Sequence, residues 1–182
     1  MVCWWSAEQP GVHVEASCAA MPASGRDRPP LRLTVERCGE APDPSHKVIA
    51  RGWWHEALER ARDGGADDVL LVAGDGRVLE TAIANVFVRL GRRVVTPPAP
   101  SCCLPGVMRR VVLDTARELG YAVEQRTVAL DELASADEIL LTNATSGALR
   151  VGELHSMRWS AWPLADALGE RGLPAPGWFV DK

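Results

Sequence analysis

The chain has 182 residues, 47% hydrophobic and 24% charged, a balance that excludes a disordered or fibrous protein and predicts a soluble globular one. Lys and Arg number 20 against 24 Asp and Glu, a formal net charge of −4, so the chain has no overall attraction for nucleic acid or an anionic membrane. No apolar run approaches the ~18 residues of a membrane span, and the length predicts one domain whose core needs neither disulfides nor metal.

Residues 1–30 are rich in Pro, Ala, Ser and Gly, hold no sustained period, and read as a loose arm in which Trp4 and Trp5 ask for a docking surface. The start, Met1 to Glu8, lacks the basic and apolar segments of a signal peptide, so the expected compartment is the cytoplasm. Leu31 to Val35 alternates apolar and polar, as a half-buried strand does, and Cys38 to Ser45 reads as a loop. Trp53, Trp54, Ala57, Leu58 and Ala61 then fall on one helical face that Gly64-Gly65 closes.

Val69 to Val72 and Arg77 to Leu79 flank Asp75-Gly76, and Asn85 to Val88 and Arg93 to Thr96 flank Gly91, which predicts two hairpins and an antiparallel middle. Met108, Val111, Val112, Thr115, Ala116 and Leu119 mark the clearest helix, opened by Pro105-Gly106 and closed by Gly120. Tyr121 to Val128 and Glu138 to Thr142 read as strands, Asp131 as the cap of a short helix, and Leu164 to Gly172 as a last helix. Without a regular βαβ rhythm, the expected class is α+β.

The five cysteines, Cys3, Cys18, Cys38, Cys102 and Cys103, have neither disulfide nor zinc spacing and read as reduced thiols, with Cys102-Cys103 as two buried apolar groups. The four histidines have no metal spacing, and phosphate-loop, dinucleotide and nucleophile-elbow signatures are absent. Three features carry chemistry only in combination. Lys47, alone an ordinary surface lysine, can attack a carbonyl if its proton is lost. Gly106-Val107-Met108, alone a plain helix start, can hold a phosphate on backbone N–H groups. Glu80, alone a solvated strand end, can hold a charge.

The motifs Asp75-Gly76-Arg77-Val78-Leu79-Glu80, Ala84-Asn85-Val86-Phe87, Thr96-Pro97-Pro98, Cys103-Leu104-Pro105-Gly106-Val107-Met108-Arg109, Ala136-Asp137-Glu138-Ile139 and Thr142-Asn143-Ala144 follow Lys47 in order. Together they resemble the fold-type IV family of pyridoxal-phosphate enzymes, which holds branched-chain and D-amino acid aminotransferases and aminodeoxychorismate lyase. The resemblance implies an α+β domain with a mixed, largely antiparallel sheet and flanking helices over residues 31–182. It implies that Lys47 forms a Schiff base with pyridoxal 5'-phosphate and moves the substrate proton. Glu80 would bond the pyridine nitrogen, Leu104 pack on the ring, and Gly106, Val107 and Met108 hold the phosphate with help from Ala144 and Thr145. The substrate would be an amino acid, or aminodeoxychorismate on the lyase branch, to which Arg51, Met108 and Thr142-Asn143-Ala144 also show likeness. A homodimer is implied by the resemblance alone.

The family carries an N-terminal domain before the lysine, and only 46 residues precede Lys47 here. The expectation is therefore the cofactor-binding half alone, a truncated chain with little turnover. The competing expectations are a non-catalytic remnant and an interaction module built on the tryptophans.

Overall fold

The computed structural model describes residues 2–5, 12–15, 28–39, 47 and 52–171. Near the N-terminus, β1 (Val2–Trp5) and β2 (Val12–Glu15) pair antiparallel, with Val2 opposite Glu15 and Trp5 opposite Val12. The expected loose arm is thus corrected for these two segments, and most of the rest of 1–30 lies outside the described residues. The apolar–polar alternation of Val12 to Glu15 lasts only four residues, too few for a period to stand out.

Nine further strands form one sheet: β3 (Leu31–Cys38), β4 (Asp68–Ala73), β5 (Val78–Thr81), β6 (Asn85–Leu90), β7 (Arg93–Thr96), β8 (Ala122–Gln125), β9 (Glu138–Asn143), β10 (Gly147–Leu154) and β11 (Met157–Arg158). Their order is β5-β4-β3-β10-β9-β6-β7-β8, with β11 added to β10. Both predicted hairpins are present, turning at Gly76 (φ +88°) and Gly91 (φ +60°), where the left-handed backbone favours glycine. The sheet is mixed, because β3 runs parallel to both β4 and β10, and β7 runs parallel to β8. The two edges approach one another: Val78 N–H donates to Val128 O at 2.8 Å, and Leu130 N–H donates to Gly76 O at 3.0 Å.

Because side chains alternate along a strand, each buried strand feeds two clusters. Leu70, Val72, Val86, Val88, Val95, Ile139, Leu141 and Val151 fill the interior of the curled sheet. Val69 and Leu71 face the other way, where helix α1 (Gly52–Asp63) lays Trp54, Ala57, Leu58 and Ala61 on them. Phe87, Val94 and Leu140 meet helices α2 (Val107–Glu118) and α3 (Pro163–Glu170) through Val112, Leu113, Ala116, Leu164 and Leu168. For α1 and, apart from Leu113, for α2 these are residues of the helical faces that the sequence periods predicted; α3 was expected only as a helix, with no face assigned.

Two local expectations are corrected, and one strand is added. Strand β3 runs on to a buried Cys38, which the sequence placed at the start of a loop; from residue 40 to 46 that loop lies outside the described residues. Asp131 is the first residue of a 3₁₀ turn, Asp131–Ser135, whose cap position is Leu130, and no side chain caps it. Strand β10 had no sequence assignment; it pairs antiparallel with β9 across the short turn at 144–146 and parallel with β3, more than a hundred residues earlier in the chain. Among the described residues, no helix is long and apolar enough to cross a membrane.

Candidate active site

Strands β5, β6 and β9 and the start of α2 surround a cavity of about 340 Å³. Six predicted residues line it: Lys47, Glu80, Leu104, Gly106, Val107 and Ala144. They are far apart in the sequence and converge only because β6 joins the β5 hairpin end to β9 and the Pro97–Pro105 connection returns across that junction. Lys47 is exposed on the cavity side. Glu80 is not the solvated strand end its position suggested. It lies within β5 and is 6% exposed.

The Leu104 peptide is held from both sides. Its N–H donates to Glu80 Oε2 at 2.9 Å. Its carbonyl accepts Asn85 Nδ2 at 2.8 Å and the Gly106 N–H at 2.8 Å. Two strand side chains thus fix the turn that leads into α2. A second tie comes from Arg109, only 5% exposed, whose Nη2 donates to Pro97 O at 2.8 Å and to Gln125 Oε1 at 3.0 Å. Cys103 donates from Sγ to the same Pro97 carbonyl at 3.5 Å. Burial pushes the Cys103 thiol up to about 11, against the pull of Arg109, so it is an inert packing thiol. Cys102 is buried beside it, as predicted for the pair.

Helix α2 opens at this cavity. Its cap residue Gly106 carries no side chain, and no acidic residue occupies the first turn. The first N–H groups of a helix have no intrahelical partner and lie at the positive end of its dipole, which suits an anion. Gly106 has ordinary angles (φ −66°, ψ 144°), so its requirement is one of space. A Cβ there would collide with Asn85 Oδ1. Met108 is 2% exposed and packs inward, leaving only its backbone N–H to the helix start.

Thr145 does not reach the cavity. Its N–H and its hydroxyl both donate to Asn143 Oδ1, each at 3.1 Å, and Ser146 N–H donates to the same oxygen at 2.7 Å. That closed turn uses the polar groups of Thr145 internally. Six lining residues escaped the sequence reading of the site, Ile83, Ala84, Asn85, Pro105, Thr142 and Asn143, and two of them, Asn85 and Thr142, are buried polar groups. The available signal was a polar residue inside an apolar strand, Asn85 before Val86-Phe87 and Thr142 after Leu140-Leu141. Both are buried, at 4% and 1% exposed.

Residues 5–154 match the family model described as amino-transferase class IV. This chain belongs to that family. The match begins inside the N-terminal segment that the sequence reading set apart. A mitochondrial branched-chain amino acid aminotransferase 1 from Humulus lupulus is 36% identical over 132 residues, 69% of this chain and 34% of that enzyme. A hypothetical aminotransferase from Mycobacterium tuberculosis, solved in its PLP-bound form, is 25% identical with a TM-score of 0.74, over 84% of this chain and 57% of that one. A putative 4-amino-4-deoxychorismate lyase from Legionella pneumophila, at 24% identity and TM-score 0.73, shares the fold. The class IV chain described here thus spans about a third of the hop enzyme and somewhat over half of the structural relatives.

Proposed function

We propose that the cavity binds pyridoxal 5'-phosphate and supports transfer of an amino group from an amino acid to a 2-oxo acid. The observation that carries this reading is the convergence of an amine, a buried carboxylate and an open helix N-terminus on one cavity. The donor set suits this group. The start of α2 offers N–H donors for a phosphate, Leu104 an apolar wall and Lys47 a primary amine. The Thr142 hydroxyl, buried on the cavity wall, has no protein partner.

When bound, pyridoxal phosphate supplies an electron sink for the charge left by removal of an α-carbon proton. The chain's own groups have separate tasks. Lys47 would tether the cofactor through its Nζ and, when free, take the proton at the substrate α-carbon and return it elsewhere. Glu80, fixed by the Leu104 N–H, would present its negative charge to the cofactor's ring nitrogen. Val107, Met108 and Ala144 would bind phosphate oxygens through backbone N–H groups. A homodimer belongs to the same proposal.

The test is a titration of the protein with pyridoxal phosphate, followed by incubation with single amino acids. Saturable absorbance near that of a lysine adduct, lost in Lys47→Ala, is expected, followed by conversion to the pyridoxamine form. Binding that survives Lys47→Ala unchanged would remove Lys47 from its role. Pyruvate release from aminodeoxychorismate without amino transfer would move the protein to the lyase branch.

A further inference from the structure

The cavity occupies one end of the curled sheet. At the other end, where the β4–β5 turn, the 3₁₀ turn and the β10–β11 turn meet, lies an open groove of about 790 Å³. Arg37, Asp75, Leu130, Asp131, His155 and Met157 are among its walls. Glu80 stands at the open end of the β4–β5 hairpin and the groove at its turn, and the two sites share no lining residue.

Three observations give the groove its chemistry. Its floor is apolar, because Leu130 and Met157 pack on the buried interior cluster that holds Leu133 and Leu154. Its cation is Arg37. Side chains alternate along a strand, and Leu31, Leu33 and Val35 of β3 all belong to the interior face. Arg37 is the next member of that row, a charge where the row has been apolar. Its anion is Asp131, since the carboxylate of Asp75 is already held by Arg77 Nε at 2.6 Å. Among the described residues, Arg37 and Asp131 form no ion pair with one another or with any other group. Two opposite charges, kept apart over an apolar floor, complement a molecule that carries both charges and an apolar tail.

We infer that the groove is a second binding site, separate from the cavity, for a free amino acid with an apolar side chain. Arg37 takes the carboxylate, for which its planar guanidinium is a matched fork. Asp131 takes the ammonium, and Leu130 and Met157 carry the side chain. Binding is non-covalent and needs no cofactor, so the assignment stands or falls apart from the pyridoxal-phosphate reading. The groove is open to water, where ion pairs are weak, so the affinity expected is in the millimolar range.

The experiment titrates L-leucine into the full chain without pyridoxal phosphate and follows backbone amide shifts by NMR. The same titration is run with 4-methylpentanoate, which lacks the ammonium, with 3-methylbutylamine, which lacks the carboxylate, and with glycine, which lacks the tail. Saturable leucine shifts are expected at Gly76, Asp131 and His155 and not at Asn85 or Val107. Each of the three analogues should bind more weakly than leucine. Arg37→Gln and Asp131→Asn, both exposed positions, should fold as wild type and each lower leucine affinity roughly threefold to fivefold, the worth of an exposed ion pair. No saturable leucine binding, or shifts confined to the cavity residues, overturns the assignment. So does unchanged affinity in either variant. Binding of 4-methylpentanoate as tight as that of leucine also overturns it, because the groove would then be a carboxylate site that does not use Asp131.

Discussion

The Glu80 carboxylate accepts the backbone N–H of Leu104 at 2.9 Å, so one side chain both holds a charge at the cavity and anchors the turn that forms its wall. These two tasks separate by mutation. Glu80→Gln keeps an oxygen that accepts the Leu104 N–H and removes the charge. Its expected thermal stability is near wild type, while amino transfer slows at least tenfold, each factor of ten corresponding to about 1.4 kcal/mol. Glu80→Ala removes both. It should lower unfolding free energy by roughly 1.5–3 kcal/mol, the range for a lost hydrogen bond to a charged group. Urea denaturation and single-turnover rates of the two variants check this; an equal stability loss in both would deny the anchoring task.

Gly106 gives a second separable prediction. Its backbone angles are accessible to alanine, but a Cβ would collide with Asn85 Oδ1. Gly106→Ala should therefore displace the Asn85 side chain from its bond to the Leu104 carbonyl and cost about 1–3 kcal/mol, as overpacking does. Shortening the obstacle should relieve part of this. In the pair Gly106→Ala with Asn85→Ser, the combined loss should fall short of the sum of the two single losses by at least 0.5 kcal/mol. Additive losses would place the constraint on Gly106 elsewhere.

Glu138 is fully buried and caps a helix from across the sheet. Leu164 and Ala165, in the first turn of α3, donate their N–H groups to its two oxygens at 3.0 and 2.8 Å, and Arg89 Nε donates at 2.9 Å. Helix α3 has no side-chain cap of its own. Glu138→Ala leaves two buried N–H donors and a largely buried guanidinium without their acceptor, and should cost at least 3 kcal/mol. Hydrogen exchange should show the loss first in α3. Uniform loss of protection across the sheet, with α3 no worse than β6, would deny the capping role.

The helices and hairpins were legible in the sequence because their signals are local: the faces of α1 and α2 follow a 3.6 period, and Asp75-Gly76 and Gly91 mark turns. Strand β10 was not assigned although a short turn joins it to β9, because that turn, Asn143-Ala144-Thr145-Ser146, carries none of the Asn-Gly or Asp-Gly signals of a tight hairpin, and its parallel partner β3 lies more than a hundred residues away. The site shows the same division. Lys47, Glu80 and Gly106 stood out through the family motifs. Thr142 stood in a family motif without a place in the site, because its burial beside the cavity appears only when its surroundings are known. Thr145, chosen from the loop that follows the Thr142-Asn143-Ala144 motif, is taken up by Asn143 in a turn that the sequence Asn143-Ala144-Thr145-Ser146 allows but does not announce.

Asp68 carries the last prediction. It is 1% exposed at the start of β4, Oδ1 accepts the Val69 N–H at 2.8 Å, and Oδ2 has no partner. Burial pushes its carboxyl up to about 6, and the opposing pull of Thr81, Val69, Ala82 and Arg62 does not cancel it. A carboxyl with a raised value binds its proton more tightly folded than unfolded. Between about pH 3.9, the ordinary aspartate value, and pH 6, the folded state therefore holds more protons, and stability falls as pH rises. The contribution of this one group amounts to roughly 3 kcal/mol between the two ends of that window, fully felt above pH 6. Asp68→Asn has nearly the same shape and no charge to desolvate. It should be more stable than wild type at pH 7.5, by roughly 1–3 kcal/mol, and should gain nothing at pH 4. Because Thr81 directly follows Glu80, the variant should also leave pyridoxal-phosphate affinity intact only if the turn after β5 keeps its Thr81–Ala84 bonds. Urea denaturation of both proteins from pH 4 to 7.5 checks the sign; an asparagine variant less stable than wild type at pH 7.5 would show that the charged carboxylate is held by its neighbours more firmly than burial disfavours it.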